Sequence, residues 1–210
     1  MPRRMSDRPP ASPLALAVLS LLEVGPLHPY GLQRLIRQWG KDTVVNVGQR
    51  ASLYKTIQRL ERDGLVTVHQ TARDQAFPER TVYALTDEGR RRGREWMIQM
   101  LAEPRNEFPP FPAALSFAML LGPADLQAAL ERRSAALATR LAELDAELGG
   151  EYAHLPRITL IESEYQRTMV AAELAWVDAV AAELGSGALT WSYEQLASIA
   201  SADVRGVGEA

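Results

Sequence analysis

The sequence predicts a mainly α-helical protein that carries a small β-hairpin and is built from two parts. Apolar residues recur at helical spacing through most of the chain, and two short alternating segments between residues 65 and 85 predict the hairpin. Residues 1–100 hold 16 Lys and Arg against 10 Asp and Glu, a net charge of +6, whereas residues 101–210 hold 7 against 16, a net charge of -9; together these give the -3 of the whole chain. A basic part is therefore joined to an acidic part.

Composition argues against several kinds of site. The chain has no Cys, which excludes disulfides, thiolate metal sites and cysteine nucleophiles. His28, His69 and His154 are too scattered for a ligand cluster, and the acidic residues of the second half are typical of solvated faces. We therefore expect no enzyme, cofactor or metal. The first apolar stretch ends at Glu23, short of the ~20 residues of a membrane span, so we expect a cytoplasmic protein without signal peptide or membrane helix.

Two helices are predicted before residue 40. Ser12 and Pro13 are typical of an N-cap and a first helical position, and the apolar run LALAVLSLLE after them predicts a buried helix. The pair Gly25-Pro26 ends that helix, and a second one opens at Pro29. Its apolar residues repeat at helical spacing, namely Leu32, Leu35, Ile36 and Trp39.

The third helix has one apolar and one polar face. Leu53, Ile57 and Leu60 repeat at i, i+4 and i+7, and Gly64 is expected to end the helix in the left-handed conformation. The opposite side carries residue types that pair with base edges or phosphates in the major groove of DNA. These candidate DNA-binding residues are Gln49, Arg50, Ser52, Tyr54, Lys55, Thr56 and Arg59. An ordinary surface helix shows a similar pattern, and the hairpin and charge division favour DNA.

A hairpin follows the third helix. Leu65–Gln70 alternates as a strand, Thr71–Glu79 is predicted to be a polar loop, and residues 80–85, RTVYAL, predict the second strand. The order of helix, helix, basic helix and hairpin is that of a winged helix-turn-helix. Because that fold lays its hairpin beside the DNA backbone, Arg73 and Arg80 are further candidate DNA-binding residues.

A fourth helix and a proline-rich segment mark the domain boundary. Thr86 is expected to cap a helix that runs from Asp87 to about Leu101. Residues 102–112 are rich in Pro and Phe, which predicts an extended or boundary segment rather than a helix. We therefore predict a winged-helix DNA-binding domain over residues 1–101 and a helical dimerisation domain over residues 102–210.

The second domain is predicted to be an antiparallel helical hairpin. After a short apolar helix over residues 113–121, leucines recur at spacings of three, four and seven to residue 148, and a second long helix follows Pro156 and ends before Gly185. Two such helices cannot bury both apolar seams on each other, so a second copy is expected to cover the surplus. The candidate dimerisation residues are Leu130, Leu137, Leu141, Leu144, Tyr165, Met169 and Trp176. A monomeric helical bundle is the alternative.

Three segments resemble the PadR family of bacterial transcriptional regulators. They are SPLALAVLSLLEVGPLHPYGL, ASLYKTIQRLERDGLV and RTVYALTDEGR. The resemblance covers residue 13 to about residue 95. It implies a winged-helix homodimer, usually a repressor, that binds a palindromic double-stranded operator and is released by a small molecule or another signal. Lys55 follows Tyr54 where relatives commonly place Pro, which implies an earlier helix start or an extra phosphate contact. A protein-interaction adaptor built on the same scaffold is the alternative function.

An effector site is suggested by aromatic residues around the fourth helix. Trp96 and Met100, with Trp39, Phe108 and Phe111, are candidates to line an apolar pocket near the dimer interface. The resemblance implies a flat aromatic or small apolar effector for such a pocket. Core packing is the alternative for Trp96, because an aromatic residue at helical spacing commonly fills a core.

Overall fold

A computed structural model describes residues 11–48, 50–74, 77–150, 154–192 and 194. The chain divides into two compact units, an N-terminal unit, Met1–Asn106, and a C-terminal unit, Glu107–Ala210. The predicted boundary after residue 101 lies a few residues before this division.

Three helices open the N-terminal unit: α1 (Pro13–Leu22), α2 (Pro29–Gln38) and α3 (Arg50–Arg62). Ser12 caps α1 as predicted, since its Oγ accepts a hydrogen bond from the Ala15 N–H at 3.2 Å. His28 caps α2 in the same way, because its Nδ1 accepts from the Gly31 N–H at 2.7 Å. The core of the unit is formed by apolar faces of all three helices and includes Leu19, Leu32, Leu53 and Leu60.

The hairpin consists of β1 (Val66–Asp74) and β2 (Phe77–Leu85), which pair antiparallel. The predicted loop over Thr71–Glu79 is therefore wrong for most of its length, because Thr71 pairs with Thr81 and Asp74 pairs with Phe77. Strand pairing is formed by backbone hydrogen bonds, which polar residues make as well as apolar ones. A polar composition alone therefore does not end a strand. Two irregularities in the register interrupt the pairing.

The helix α4 (Asp87–Ala102) starts against the end of α3 and the beginning of β1. Gly64 has a φ of +72°, which confirms the predicted left-handed end of α3. The Thr86 hydroxyl accepts from the Gly89 N–H at 2.9 Å and lies 2.8 Å from the Gly64 carbonyl oxygen and 3.0 Å from that of Leu65, to which it can donate. Thr86 thus caps α4 and ties it to the segment that joins α3 to the hairpin.

The C-terminal unit contains α5 (Pro110–Ser116), α6 (Pro123–Gly149) and α7 (Ile161–Ser186), with 3-10 turns at Ala118–Leu120 and Arg157–Thr159. Two predictions here are wrong in detail. Helix α5 begins inside the stretch expected to be non-helical, since Pro is tolerated in a first turn, where no intrahelical N–H bond is required. Helix α7 passes Gly185 and ends at Ser186, and Gly187, which follows it, has a φ of +77°.

Helices α6 and α7 pack as the antiparallel hairpin that the sequence predicts. The hydrogen-bond partners show the antiparallel direction, because residue numbers decrease along α7 as they increase along α6. Ser134 donates to Asp178, Arg140 donates to Gln166, and Glu147 accepts from Ser163. Leu130 on α6 and Val177 on α7 are buried in the cluster between the helices. In the part of the chain that the structure describes, no helix is long and apolar enough to cross a bilayer.

Candidate nucleic-acid interface

Helix α3 packs against the core with its apolar face and exposes its polar face to solvent. Leu53, Ile57 and Leu60 are at most 1% exposed, and they anchor the helix in the core of the N-terminal unit. Tyr54 is 48% exposed, and Lys55 beside it is also exposed. The helix therefore offers a polar surface whose position is fixed by packing behind it.

Ser52 and Thr56 lie at the edge of this surface rather than at its centre. Both are half-buried, one helical turn apart, along the border between the apolar and polar faces. Lys55 is exposed in the interior of a helix that begins at Arg50, so the helix starts well before this residue. A Pro in that interior position would remove an intrahelical hydrogen bond, which Lys keeps.

Arg59 is directed toward the beginning of α1. Its Nη2 lies 3.5 Å from the Ser12 Oγ, and its buried Nε finds no hydrogen-bond partner among the described residues. The half-buried side chain thus joins two helices that are far apart in sequence. Its predicted contact with DNA stays a prediction.

Four predicted residues fall at or beyond the limits of the description. Gln49 lies outside the described residues. Arg50 is the first residue of α3, and its side chain is not described. The backbone of Arg73 belongs to β1 and that of Arg80 to β2, where Arg80 pairs with Ala72, and the side chains of both are again outside the description. The proposed roles of Arg50, Arg73 and Arg80 rest on these backbone positions, and that of Gln49 rests on its place in the sequence.

The polar surface also contains residues that the sequence analysis did not select. Gln58 and Arg62 are exposed on the same side of α3 as Tyr54 and Lys55. Counting turns of 3.6 residues from Lys55 would have found them. Helix α2 carries two exposed cations of its own, Arg34 and Arg37.

The hairpin is fixed relative to α2 and α3 through Tyr83. The Tyr83 backbone exchanges two hydrogen bonds with Leu27, which lies just before α2, at 2.9 and 3.0 Å. Burial raises the pKa of the Tyr83 phenol, and the negative charge of Glu61 on α3 raises this pKa further. The two backbone hydrogen bonds therefore hold β2 beside the segment that leads into α2.

Trp96, the candidate effector residue, is part of the core of the N-terminal unit. It is 3% exposed, and the guanidinium carbon of Arg92 lies 5.7 Å from the centroid of its ring. An open apolar groove of about 360 Å³ runs between α1 and α4 in the same unit, and Leu19, Gly93 and Met97 are among its lining residues.

The candidate dimerisation residues divide into a buried and an exposed group. Leu130 and Leu144 are buried within the single chain, while Leu137 and Leu141 are half-buried. A stripe along α7 is exposed instead, with Tyr165 at 66%, Met169 at 52% and Trp176 at 46%. The Trp176 ring meets Phe111 of α5 edge to face, with centroids 6.2 Å apart.

Comparisons with known proteins agree on one family. The transcriptional regulator PadR-like family matches residues 18–95. The crystal structure of Bacillus subtilis PadR in complex with operator DNA resembles this chain with a TM-score of 0.64 at 17% identity, over 81% of this chain and 98% of that chain. A PadR-like transcriptional regulator from Bacillus cereus gives 0.59 at 16% identity, over 83% and 99%. Bacillus subtilis PadR in complex with p-coumaric acid gives 0.60 at 15% identity, over 84% and 99%.

No curated protein sequence matches this chain. At these sequence identities the structural likeness shows the fold alone. That fold is mainly α-helical and contains a winged helix with a two-stranded hairpin. The family match falls on the segment that contains the second half of α1, then α2, α3, the hairpin and the first nine residues of α4. The winged-helix segment, residues 18–95, thus matches the PadR-like family of transcriptional regulators.

Proposed function

We propose that this chain is a sequence-specific DNA-binding regulator that acts as a homodimer. The observation that carries the proposal is α3, which is held by Leu53, Ile57 and Leu60 while its polar face stays exposed. A helix presented in this way fits the major groove. The net charge of +6 on residues 1–100 supplies the attraction to phosphates that DNA binding requires. Bacillus subtilis PadR, solved with operator DNA, supports this function.

The proposed contacts fall into three groups. Residues at the start of α3 read base edges, because Gln pairs with adenine and Arg with guanine. Residues farther along α3 and on the hairpin contact phosphates and fix the register. The base-reading group consists of Gln49 and Arg50. A second group, which reaches either bases or phosphates, consists of Ser52, Tyr54 and Thr56. The group that contacts the DNA backbone consists of Lys55, Arg59, Arg73 and Arg80.

The proposed dimer is built by the C-terminal unit. Leu130, Leu137, Leu141 and Leu144 hold α6 against α7, and the exposed stripe of Tyr165, Met169 and Trp176 is covered by the second copy. A contiguous apolar stripe at this degree of exposure is typical of an interaction surface. A two-fold dimer requires a palindromic operator with half-sites about one helical turn, ~10 bp, or a multiple apart.

The proposed regulation is repression that a small apolar or aromatic molecule relieves. Bacillus subtilis PadR solved with p-coumaric acid supports this class of effector. Because Trp96 is buried, its proposed contribution to an effector site requires a rearrangement of the core around it. We infer a cytoplasmic, non-enzymatic protein, in keeping with the match of residues 18–95 to a family of transcriptional regulators.

A footprint on the promoter beside the chain's own gene tests the proposal, with affinity measured over a range of salt concentrations. Protection of a palindrome and an affinity that falls as salt rises are expected, since bound phosphates release counterions. Undetectable binding at low salt, or no dependence on salt, would favour the adaptor, in which the winged helix contacts a protein. Candidate effectors are then screened for loss of the footprint.

A further inference from the structure

Helix α2 buries one polar side chain against the segment that leads into α3. Gln33 is only 4% exposed, and its Nε2 donates a hydrogen bond to the carbonyl oxygen of Val47 at 3.0 Å. The Val47 side chain is itself 2% exposed in the core of the N-terminal unit. Both the backbone and the side chain of Val47 are thus fixed, three residues before α3 begins.

The connection between α2 and α3 is long for a helix-turn-helix. Helix α2 ends at Gln38 and α3 begins at Arg50, which leaves residues 39–49 between them, whereas a turn of about 3 to 4 residues is usual. A connection of this length does not by itself fix where the second helix starts. The hydrogen bond from Gln33, and the one in which Asn46 Oδ1 accepts from the Gly48 N–H at 3.1 Å, hold its last described residues.

An amide at position 33 is not required to fill the core. A buried amide costs free energy unless it is paired. An apolar side chain of similar shape could fill the same space, but it would leave the Val47 carbonyl without the donor that Gln33 supplies. The amide does fix the position of the Val47 carbonyl group, because a hydrogen bond restricts the distance between donor and acceptor to within a few tenths of an ångström. Gln49 and Arg50, the proposed base-reading residues, follow immediately in the sequence.

We propose that Gln33 is a positioning residue that sets how the start of α3 meets the base edges, without touching DNA itself. The inference rests on the proposed function of α3. Hydrogen bonds to base edges require placement to about 0.5 Å, whereas attraction between cations and phosphates acts over several ångströms. Loss of the Gln33 hydrogen bond therefore weakens discrimination between sequences more than it weakens general affinity for DNA.

The test compares the full chain with Gln33→Met, which keeps the length of the side chain and removes its N–H donor, and with Gln33→Leu. Two apolar shapes are used so that at least one fills the site. Affinities for the footprinted operator and for a shuffled sequence are measured at the same salt concentrations. Val18→Ala is the matched control, because Val18 is buried on α1 and its truncation lowers stability outside the connection.

A fall of roughly tenfold in the ratio of operator to shuffled affinity, about the contribution of one base contact, is expected for a folded Gln33 variant. The dependence of binding on salt should not change, and Val18→Ala should keep the ratio of the original protein. A folded Gln33 variant that keeps the full ratio overturns the inference and leaves the proposed function in place. If the original protein itself binds the operator and the shuffled sequence equally, both the proposed function and this inference are wrong.

Discussion

Replacing Gly89 by Ala tests how closely α4 packs against the hairpin. A Cβ atom at Gly89 would lie 2.8 Å from Leu85 Cδ1 and 2.9 Å from the Leu65 carbonyl carbon, and closer still to the Leu65 carbonyl oxygen. Backbone atoms cannot yield as a flexible side chain can, so the first turn of α4 must move. That movement also separates Thr86 from the carbonyl groups of Gly64 and Leu65.

The free energy of unfolding should fall by about 2 kcal/mol in Gly89→Ala. Overpacking costs ~1 to 3 kcal/mol and a weakened N-cap ~1 kcal/mol, while Ala in a helix returns up to ~1 kcal/mol. Gly93→Ala is the matched control one turn later, where a Cβ would meet Leu19 Cβ at 3.5 Å, an ordinary contact. That variant should gain up to ~1 kcal/mol.

Thermal unfolding of the full chain, followed by calorimetry, measures both variants. A loss of ~2 kcal/mol in a unit of this size lowers its midpoint by roughly 10 °C, so Gly89→Ala should melt well below the original protein and Gly93→Ala slightly above it. If Gly89→Ala melts as high as Gly93→Ala, α4 does not pack against Leu65 and Leu85 as closely as described, and the reasoning fails.

Three further predictions concern DNA binding and assembly. Arg50→Ala should lose ~1 to 3 kcal/mol of discrimination between operator and random DNA, while Lys55→Ala should weaken both about equally; equal losses in a binding titration of both variants would contradict these roles. Arg73→Ala should reduce the slope of log affinity against log salt by roughly one, and an unchanged slope would mean that the hairpin points away from the phosphates. Met169→Glu should raise the dimer dissociation constant about a hundredfold in sedimentation, because it buries an unpaired carboxylate. Ala135→Glu, on the exposed side of α6, should leave the dimer intact.

The helix ends could be predicted because their signals are local. Ser12, Gly64 and Thr86 each determine a helix terminus through residues three to five positions away, and the structure places all three as expected. The buried face of α3 follows from the same kind of regularity, since Leu53, Ile57 and Leu60 repeat with the helical period.

The prediction failed where two local signals compete. Gly185 and Gly187 are both able to end a helix, and only the backbone shows that Gly187 takes the positive φ. Gly185 remains helical, where a Cβ would meet Gln127 Nε2 of α6 at 3.1 Å, so its lack of a side chain suits the packing of α6 against α7. Tertiary packing, which is not visible in a window of sequence, decides between the two.

Pairs that are distant in sequence decide the geometry of the candidate site. Arg59 has the charge and the helical position of a phosphate contact, yet its side chain reaches Ser12, 47 residues earlier. Gln33 lies in the sequence between apolar positions of α2, where a polar residue usually faces solvent, yet its side chain is buried and donates to the Val47 carbonyl. Residue type and spacing therefore predicted that α3 has a polar face, but not which polar side chains, on α3 or on α2, hold it in position.

Charge implies that the two units contribute differently to operator binding. With a net charge of -9, residues 101–210 repel phosphates, so in the proposed dimer they raise affinity for DNA by joining two basic units. In that dimer the sequence of each half-site depends on α3, whereas the spacing between half-sites depends on the surface that joins the two copies. Substitutions on the α7 stripe of Tyr165, Met169 and Trp176 can change the spacing without changing the preferred half-site. Substitutions at Arg50 can do the reverse, because the two properties reside in separate parts of the chain.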